Sequence, residues 1–437
     1  MKKTIKTLGK FFGLLGGLLS LPLLIKIDSP KKSPLILFKM FANSAAGFLA
    51  PLSALGALLG WLFKSPLAQI GGWIGLLISG DYLREISMPH TQFQKIFGPA
   101  WEAAIPAALK SRWLSKRRPF KMPDQPEPQW QRDIPFHHPT DRPAPLLCDI
   151  WEPPSGEPRS GLGIIYIHGS GWHFLDKDKG TRPFFRQLAA RSHVVMDIQY
   201  RLCPEVDLIG MTSDTRHAIA WLKAHAENYG LDPDRIVLGG GSAGGHLALL
   251  AALTPNNPRL VPEPLQDADL SVCGVFSYYG PTDLSAYDAQ AGRILPAPED
   301  LEKSGGPFET LMDGLMDNLV HVEGQNIEIS HQEMMRNLLG GDPADVPEMV
   351  ALASPINHIS PDCPPVILFQ GQDDALVPAE ASRAFYARLR LEGIPAIYNE
   401  YAMTEHAFDV VLLPRFSPPT LASLYDLERF LAYLAVQ

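Results

Sequence analysis

Apolar and polar positions divide the chain into three unequal stretches. Across residues 1–82, the runs Phe11–Ile25, Phe41–Phe63 and Ser65–Gly80 contain no charged side chain. Phe41–Phe63 alone is long enough to cross about 30 Å of hydrocarbon as a helix. A helix apolar on every side is either deeply buried or in a membrane, and three in succession favour the membrane. These runs predict an apolar, membrane-associated helical segment. Phe41–Phe63 and Ser65–Gly80 are separated only by Lys64, which predicts a helical hairpin whose arms approach closely at Pro51, Gly56, Gly60, Gly71 and Gly72. Phe11–Ile25 is expected to lie in the membrane interface. Lysines at 2–10 and 26–39 outnumber the one at the hairpin tip. The positive-inside tendency then keeps them, and the domain that follows, cytoplasmic; a spanning Phe11–Ile25 would reverse that parity. The lysine-rich start also suits a cleavable leader, but no small-residue cleavage site follows Ile25 and apolar character resumes after Ser33.

Residues 83–135 read as a linker. Arg112, Lys116, Arg117, Arg118 and Lys121 form a basic cluster suited to solvent or to acidic headgroups, and a proline-rich stretch from Pro123 to Pro128 follows. From 136 to 437 the pattern changes to short apolar runs alternating with helical ones. Strands are expected at Leu162–Ile167, His193–Gln199, Arg235–Leu238, Val272–Tyr279, Val366–Gln370 and Ala396–Glu400. Helices are expected at Gly180–Arg191, Thr212–Tyr229, Ala243–Leu253, Ala379–Leu391 and from about Leu421 to Leu434. Such alternation predicts an α/β fold, a mostly parallel sheet with helices on both faces. Residues 281–350 break the rhythm and are too long for a bare connection, which predicts a lid or cap.

A net charge of −9 argues against a nucleic-acid partner. Cys148, Cys203, Cys273 and Cys363 lie far apart, and no CxxC, HExxH or His/Cys cluster occurs. Small buried hydrophobes are the expectation, with no metal.

The chemistry concentrates at Gly240-Gly241-Ser242-Ala243-Gly244, which joins the strand Arg235–Leu238 to the helix Ala243–Leu253. A G-x-S-x-G at a strand-to-helix turn is where an α/β-hydrolase mounts its serine. The turn is tight enough to require small residues at 240, 243 and 244. Gly239-x-Gly241-x-x-Gly244 also matches the dinucleotide fingerprint. The acidic residue due about 20 positions later would fall in the loop Thr254–Pro264, so no cofactor is expected. Hydrolases present serine, acid and histidine in that order. Beyond Val366–Gln370 the chain holds one histidine, His406, while the loop Gln370–Pro378 supplies Asp373 and Asp374. His168-Gly-Ser-Gly-Trp172 follows the strand Leu162–Ile167, the place of a glycine-rich oxyanion loop. Ser170 and Gly171 would offer N–H groups beside that of Ala243, and His168 is read as structural.

Together with Tyr200-Arg-Leu-Cys-Pro-Glu205, Asp232-Pro-Asp-Arg235, Gly371-Gln-Asp-Asp374 and Val377-Pro378, these motifs resemble the hormone-sensitive-lipase-type ("fold-3") carboxylesterases of the α/β-hydrolase superfamily. The resemblance covers about residues 140–435. It implies a Ser242–Asp374–His406 triad, since that family takes its acid from the last Asp of a Gly-x-x-Asp before Val-Pro. Ser170 stands where the family usually has Gly, and Gly241 where many members have Asp. These departures point toward a sister branch of bacterial-type esterases that includes feruloyl-esterase-like proteins. A serine at a positive φ would also carry strain.

The expected function is hydrolysis of small-molecule carboxylic esters of short to medium acyl length through an acyl-enzyme. Two alternatives stay open. A serine peptidase of the prolyl-oligopeptidase type shares the elbow, but residues 1–135 cannot build its usual propeller. A membrane-tethered, non-catalytic binding protein would generally have lost one of the three residues. Deleting residues 1–82 is expected to release an active soluble enzyme, and Asp373→Asn to be mild.

Overall fold

Eight strands form one sheet in the order β1-β2-β4-β3-β5-β6-β7-β8. The computed structural model describes residues 2–88, 91–295, 329–410 and 413–437. The strands are β1 (Gln129–His137), β2 (Leu146–Glu152), β3 (Gly163–Ile167), β4 (Val194–Ile198), β5 (Ile236–Gly241), β6 (Gly274–Tyr278), β7 (Val366–Gly371) and β8 (Ala396–Tyr401). β1 and β2 enter antiparallel, and every pairing from β4 to β8 is parallel. All six expected strands are present, in an α/β-hydrolase fold. Successive side chains of β3 alternate between two cores: Ile165 and Ile167 join one, Ile164 and Tyr166 the other. The first core is closed by α7 (Leu208–Ala224), α8 (Ala243–Leu253) and α12 (Ala379–Leu391). The second is closed by α6 (Arg182–Ala190) and α13 (Pro418–Leu434).

The sheet opens earlier than residue 136, and residues 83–135 are more than a linker. Short helices α4 (Gln92–Phe97) and α5 (Ala107–Lys110) lie there, and Phe93, Trp101, Ile105, Leu114 and Met122 are buried in the second core. Arg117, expected to face solvent or acidic headgroups, instead pairs with the buried Asp426 of α13 at 2.8 Å. Of the expected lid, α9 (Leu284–Ile294), α10 (His331–Leu339) and the start of α11 (Pro347–Ala353) are seen. The remainder, 296–328, lies outside the described residues.

The amino-terminal segment is a bundle of α1 (Lys2–Ser20), α2 (Ile36–Leu62) and α3 (Pro66–Ser87). The hairpin of α2 and α3 is as expected, but Phe11–Ile25 does not lie apart from it. α1 packs lengthwise on both arms, backbone to backbone. A Cβ on Gly13 would stand 2.3 Å from the Ala68 carbonyl oxygen, and one on Gly56 would stand 2.4 Å from Gly13 Cα. Only glycine permits that approach. The bundle turns its small residues inward and its large ones out. Among the described residues, the exposed large apolar side chains all belong to residues 8–77 except Met88, Phe120, Leu391 and Leu413. By length and composition, Lys2–Leu24 and Pro30–Leu62 are long and apolar enough to cross a membrane.

His193, buried where the chain enters β4, bonds through Nδ1 to Ser160 Oγ at 2.9 Å. Burial, assisted by Arg191, pushes its pKa down to about 3. The unfolded chain, with an ordinary imidazole near 6.5, therefore binds a proton that the folded one refuses. Stability is lost as pH falls below about 6.5. His193→Gln is expected to reduce the loss between pH 7 and pH 4.5 by about 2 kcal/mol, read by denaturant unfolding of the detergent-solubilised chain.

Candidate active site

β5 ends at Gly241 and α8 begins at Ala243, so Ser242 alone makes the turn, at φ 52° and ψ −123°. Two backbone bonds hold this unfavourable conformation: Ser242 N donates to the Tyr278 carbonyl (2.8 Å), and His246 N donates to the Ser242 carbonyl (2.9 Å). α8 runs back so close to β3 that a Cβ on Gly244 would lie 2.0 Å from the Ile167 carbonyl oxygen. That contact explains the glycine the motif requires.

The structure brings the three expected residues together. Ser242 Oγ lies 3.0 Å from His406 Nε2, and His406 Nδ1 lies 2.8 Å from Asp374 Oδ2. Asp374 sits in the loop after β7, and His406 in the loop after β8. Four donors converge on the Asp374 carboxylate: Leu376 N (2.9 Å) and Val377 N (2.8 Å) on Oδ1, His406 Nδ1 and Gln370 Nε2 (2.9 Å) on Oδ2. The acceptor side of the carboxylate is filled, and its orientation is fixed. The carboxylate of Asp373 instead accepts from Lys39 Nζ at 2.7 Å.

The loop 168–172 runs alongside Ser242. A Cβ on Gly169 would stand 3.3 Å from Ser242 Cβ. Ser170 does take a positive φ, 96°, and its hydroxyl donates to the Phe174 carbonyl, which gives the side chain a fixed place in a strained backbone. Gly171 follows at φ 61° beneath Met334 of α10. Ala243 opens α8, whose first N–H groups have no intrahelical acceptor. His168 is buried, stacked on Tyr200 (ring centroids 4.4 Å apart) with Nδ1 at its neighbour's carbonyl, and burial lowers its pKa. It does not reach Ser242 Oγ by any hydrogen bond described.

Several neighbours were not legible in the sequence. Tyr279, the residue after β6, lays its ring 4.5 Å from His406 and donates its hydroxyl to Asp409. Burial pushes Asp409 up to about 6, against the lowering effect of that bond. Gln290 of α9 donates to the Asp374 carbonyl at 2.8 Å, so the region expected as a lid touches the loop of the acid. Among the described residues, no group of three or more His, Cys, Asp and Glu side chains is arranged to hold a metal. The four cysteines form no disulfide.

The chain is similar to known ester hydrolases. The probable carboxylic ester hydrolase LipM of Mycobacterium tuberculosis (strain ATCC 25618 / H37Rv) is 32% identical over 287 residues, covering 65% of this chain and 57% of LipM. Esterase LipQ of the same strain is 30% identical over 271 residues, covering 62% of this chain and 56% of LipQ. The chain thus spans a little over half the length of these relatives. Among solved structures, a bifunctional GH43-CE protein of Bacteroides eggerthii superposes with a TM-score of 0.50 at 24% identity, covering 69% of this chain and 38% of that one, a likeness of fold. The family model BD-FAE matches residues 148–306 and 311–389, more than half of the chain and inclusive of the serine turn, the 168–172 loop and Asp374. With the sheet order and the elbow geometry in agreement, the chain belongs to the BD-FAE family of α/β-hydrolases.

Proposed function

We propose that this protein is a membrane-embedded serine hydrolase that cleaves carboxylic esters through an acyl-enzyme. The observation that carries the reading is the continuous path Asp374–His406–Ser242 at the turn after β5. His406 takes the proton of Ser242 Oγ as that oxygen attacks the ester carbonyl, and Asp374 holds the ring with Nε2 toward the serine and stabilises the imidazolium. The oxyanion is received by N–H groups of Ser170, Gly171 and Ala243, each worth roughly 3 kcal/mol at the transition state. His406 returns the proton to the leaving alcohol. It then activates the water that releases the acid. The names of LipM and LipQ support an ester as substrate. The walls formed by α9 and α10 suit a cap over it.

The bundle's outward-facing leucines and aromatics suit hydrocarbon, and its glycine interior suits helix association in lipid. Gly9 abuts Leu59 and Gly60, so Lys2, Lys3, Lys6 and Lys10 run out beside Lys64 at the end far from the sheet. Charges there would be costly inside the bilayer, which favours a bundle that crosses it. The other end of α1 carries Lys26, Lys31 and Lys32, with Lys32 paired to Asp28. Three crossings place the amino terminus and the hydrolase on opposite faces, and Lys2, Lys3, Lys6, Lys10 and Lys64 at the tip draw the tip toward the cytoplasm. The packing of α1 along the hairpin supports a spanning Phe11–Ile25, the case in which the parity reverses and the hydrolase faces outward.

One experiment tests both parts. An impermeant fluorophosphonate applied to intact cells is expected to label the full-length protein in the membrane fraction, and Ser242→Ala to abolish labelling. No labelling in lysed membranes would overturn the serine-hydrolase reading. Labelling only after lysis would overturn the orientation.

A further inference from the structure

We infer that Lys39, a residue of the amino-terminal bundle, is a positioning residue for ester cleavage, holding in register the two loops that carry Asp374 and His406. The inference rests on the proposed roles of Ser242, Asp374 and His406.

Lys39 lies in the first turn of α2, and its side chain is fully buried. Its ammonium donates to Asp373 Oδ2 at 2.7 Å and to the Ile25 carbonyl, and stands 3.7 Å from Glu405 Oε1. A buried ammonium persists in such a place only if its partners are fixed. The partners here are the residues that precede the acid and the histidine. Each is bonded in turn to the opposite loop. Asp373 N donates to the Thr404 carbonyl at 3.1 Å, and Glu405 Oε2 accepts from Ala375 N at 3.0 Å and His406 N at 3.4 Å. Burial raises Glu405 to about 7, with Lys39 pulling against the rise.

Two further side chains of the bundle converge on the same loop. Asn43, one turn beyond Lys39, donates to the Met403 carbonyl (2.9 Å) and accepts from Glu405 N (3.3 Å). Tyr82 of α3 meets Thr404 Oγ1 at 3.2 Å. Ile27, between α1 and α2, packs on Ala375 and Ile294. The bundle therefore does more than tether. Its sheet-side end forms the floor under the Asp374–His406 couple, and none of these groups touches Ser242.

The ionisable groups around the couple are Asp373, Glu405, Lys39 and the exposed Lys26 on the bundle side, with Asp409 and Tyr279 on the other. The test uses the full-length protein in detergent, with kcat expressed per site titrated by fluorophosphonate. A misplacement of about 1 Å costs on the order of 100-fold. Lys39→Met is expected to lower kcat on p-nitrophenyl butyrate by about 10- to 100-fold with KM within about twofold, and Lys39→Arg to recover most of the loss. If Lys39→Met yields no folded protein, Asn43→Ala decides, since it strands no buried charge. It is expected to lower kcat by about 5- to 10-fold at unchanged KM. A purely structural role would reduce the number of titratable sites and leave kcat per site at the wild-type value. That result in every variant that folds overturns the inference, while titration of the wild type at Ser242 leaves the serine-hydrolase reading in place.

Discussion

Ser242→Ala and His406→Ala are each expected to lower kcat on p-nitrophenyl butyrate by about 10,000-fold or more, and the double variant to do no worse, because the residues act as one unit. Asp374→Asn should fall as far, for a reason specific to this loop. Leu376 N and Val377 N donate to Oδ1, so an asparagine must turn its carbonyl oxygen to them. Its NH2 then faces His406 Nδ1, where the carboxylate accepts now. The ring would adopt the tautomer with the proton on Nε2, which cannot take one from Ser242. Stopped assays on folded, detergent-solubilised variants check this. More than about one hundredth of wild-type kcat in Ser242→Ala would remove the serine from the mechanism.

Removing residues 2–88 is expected to cost about 10- to 100-fold in kcat and to leave a protein that aggregates without detergent. The sequence pattern alone suggests the opposite outcome, a freed and active domain. The structure reverses it, because Ala42, Ala45, Ala46, Leu49, Tyr82, Leu83 and Ile86 share a core with α13 and the sheet. Deletion uncovers that surface and strips Asp373 and Glu405 of Lys39. Asp373→Asn accordingly ceases to be a mild change, since it leaves a buried ammonium with Glu405 as its nearest acid. A truncated chain that stayed monomeric at full kcat would show the bundle to be a tether alone.

What the sequence displayed and what it hid follow one physical line. β3 to β8 are short apolar runs bounded by turn residues because both their faces are covered, and the elbow shows because backbone proximity admits only small residues. β1 did not show. It is an edge strand, mostly exposed, its residues Gln129–His137 broken by Pro135 and rich in polar groups, so it reads as linker. Ser242 and His406 were legible because each follows a strand in fixed order; that order left Asp373 and Asp374 both open, and only the resemblance, through Gly-x-x-Asp before Val-Pro, singled out Asp374. Lys39 looked like one more lysine flanking an apolar helix, Tyr279 like the last residue of a strand, and Asp409 like an ordinary loop residue. Their meaning lies wholly in partners far along the chain.

The Lys39–Asp373 ion pair joins positions 334 residues apart. A nascent chain lays down the bundle first and the loops after β7 and β8 near the last, so this joint is among the final non-local contacts that synthesis makes available. Until then the helices hold a lysine and an asparagine that lack their eventual partners. If the proposed mechanism holds, completion of the chain is what makes it competent: a half-made copy lacks the acid loop, and a copy clipped of its bundle lacks the floor beneath that loop.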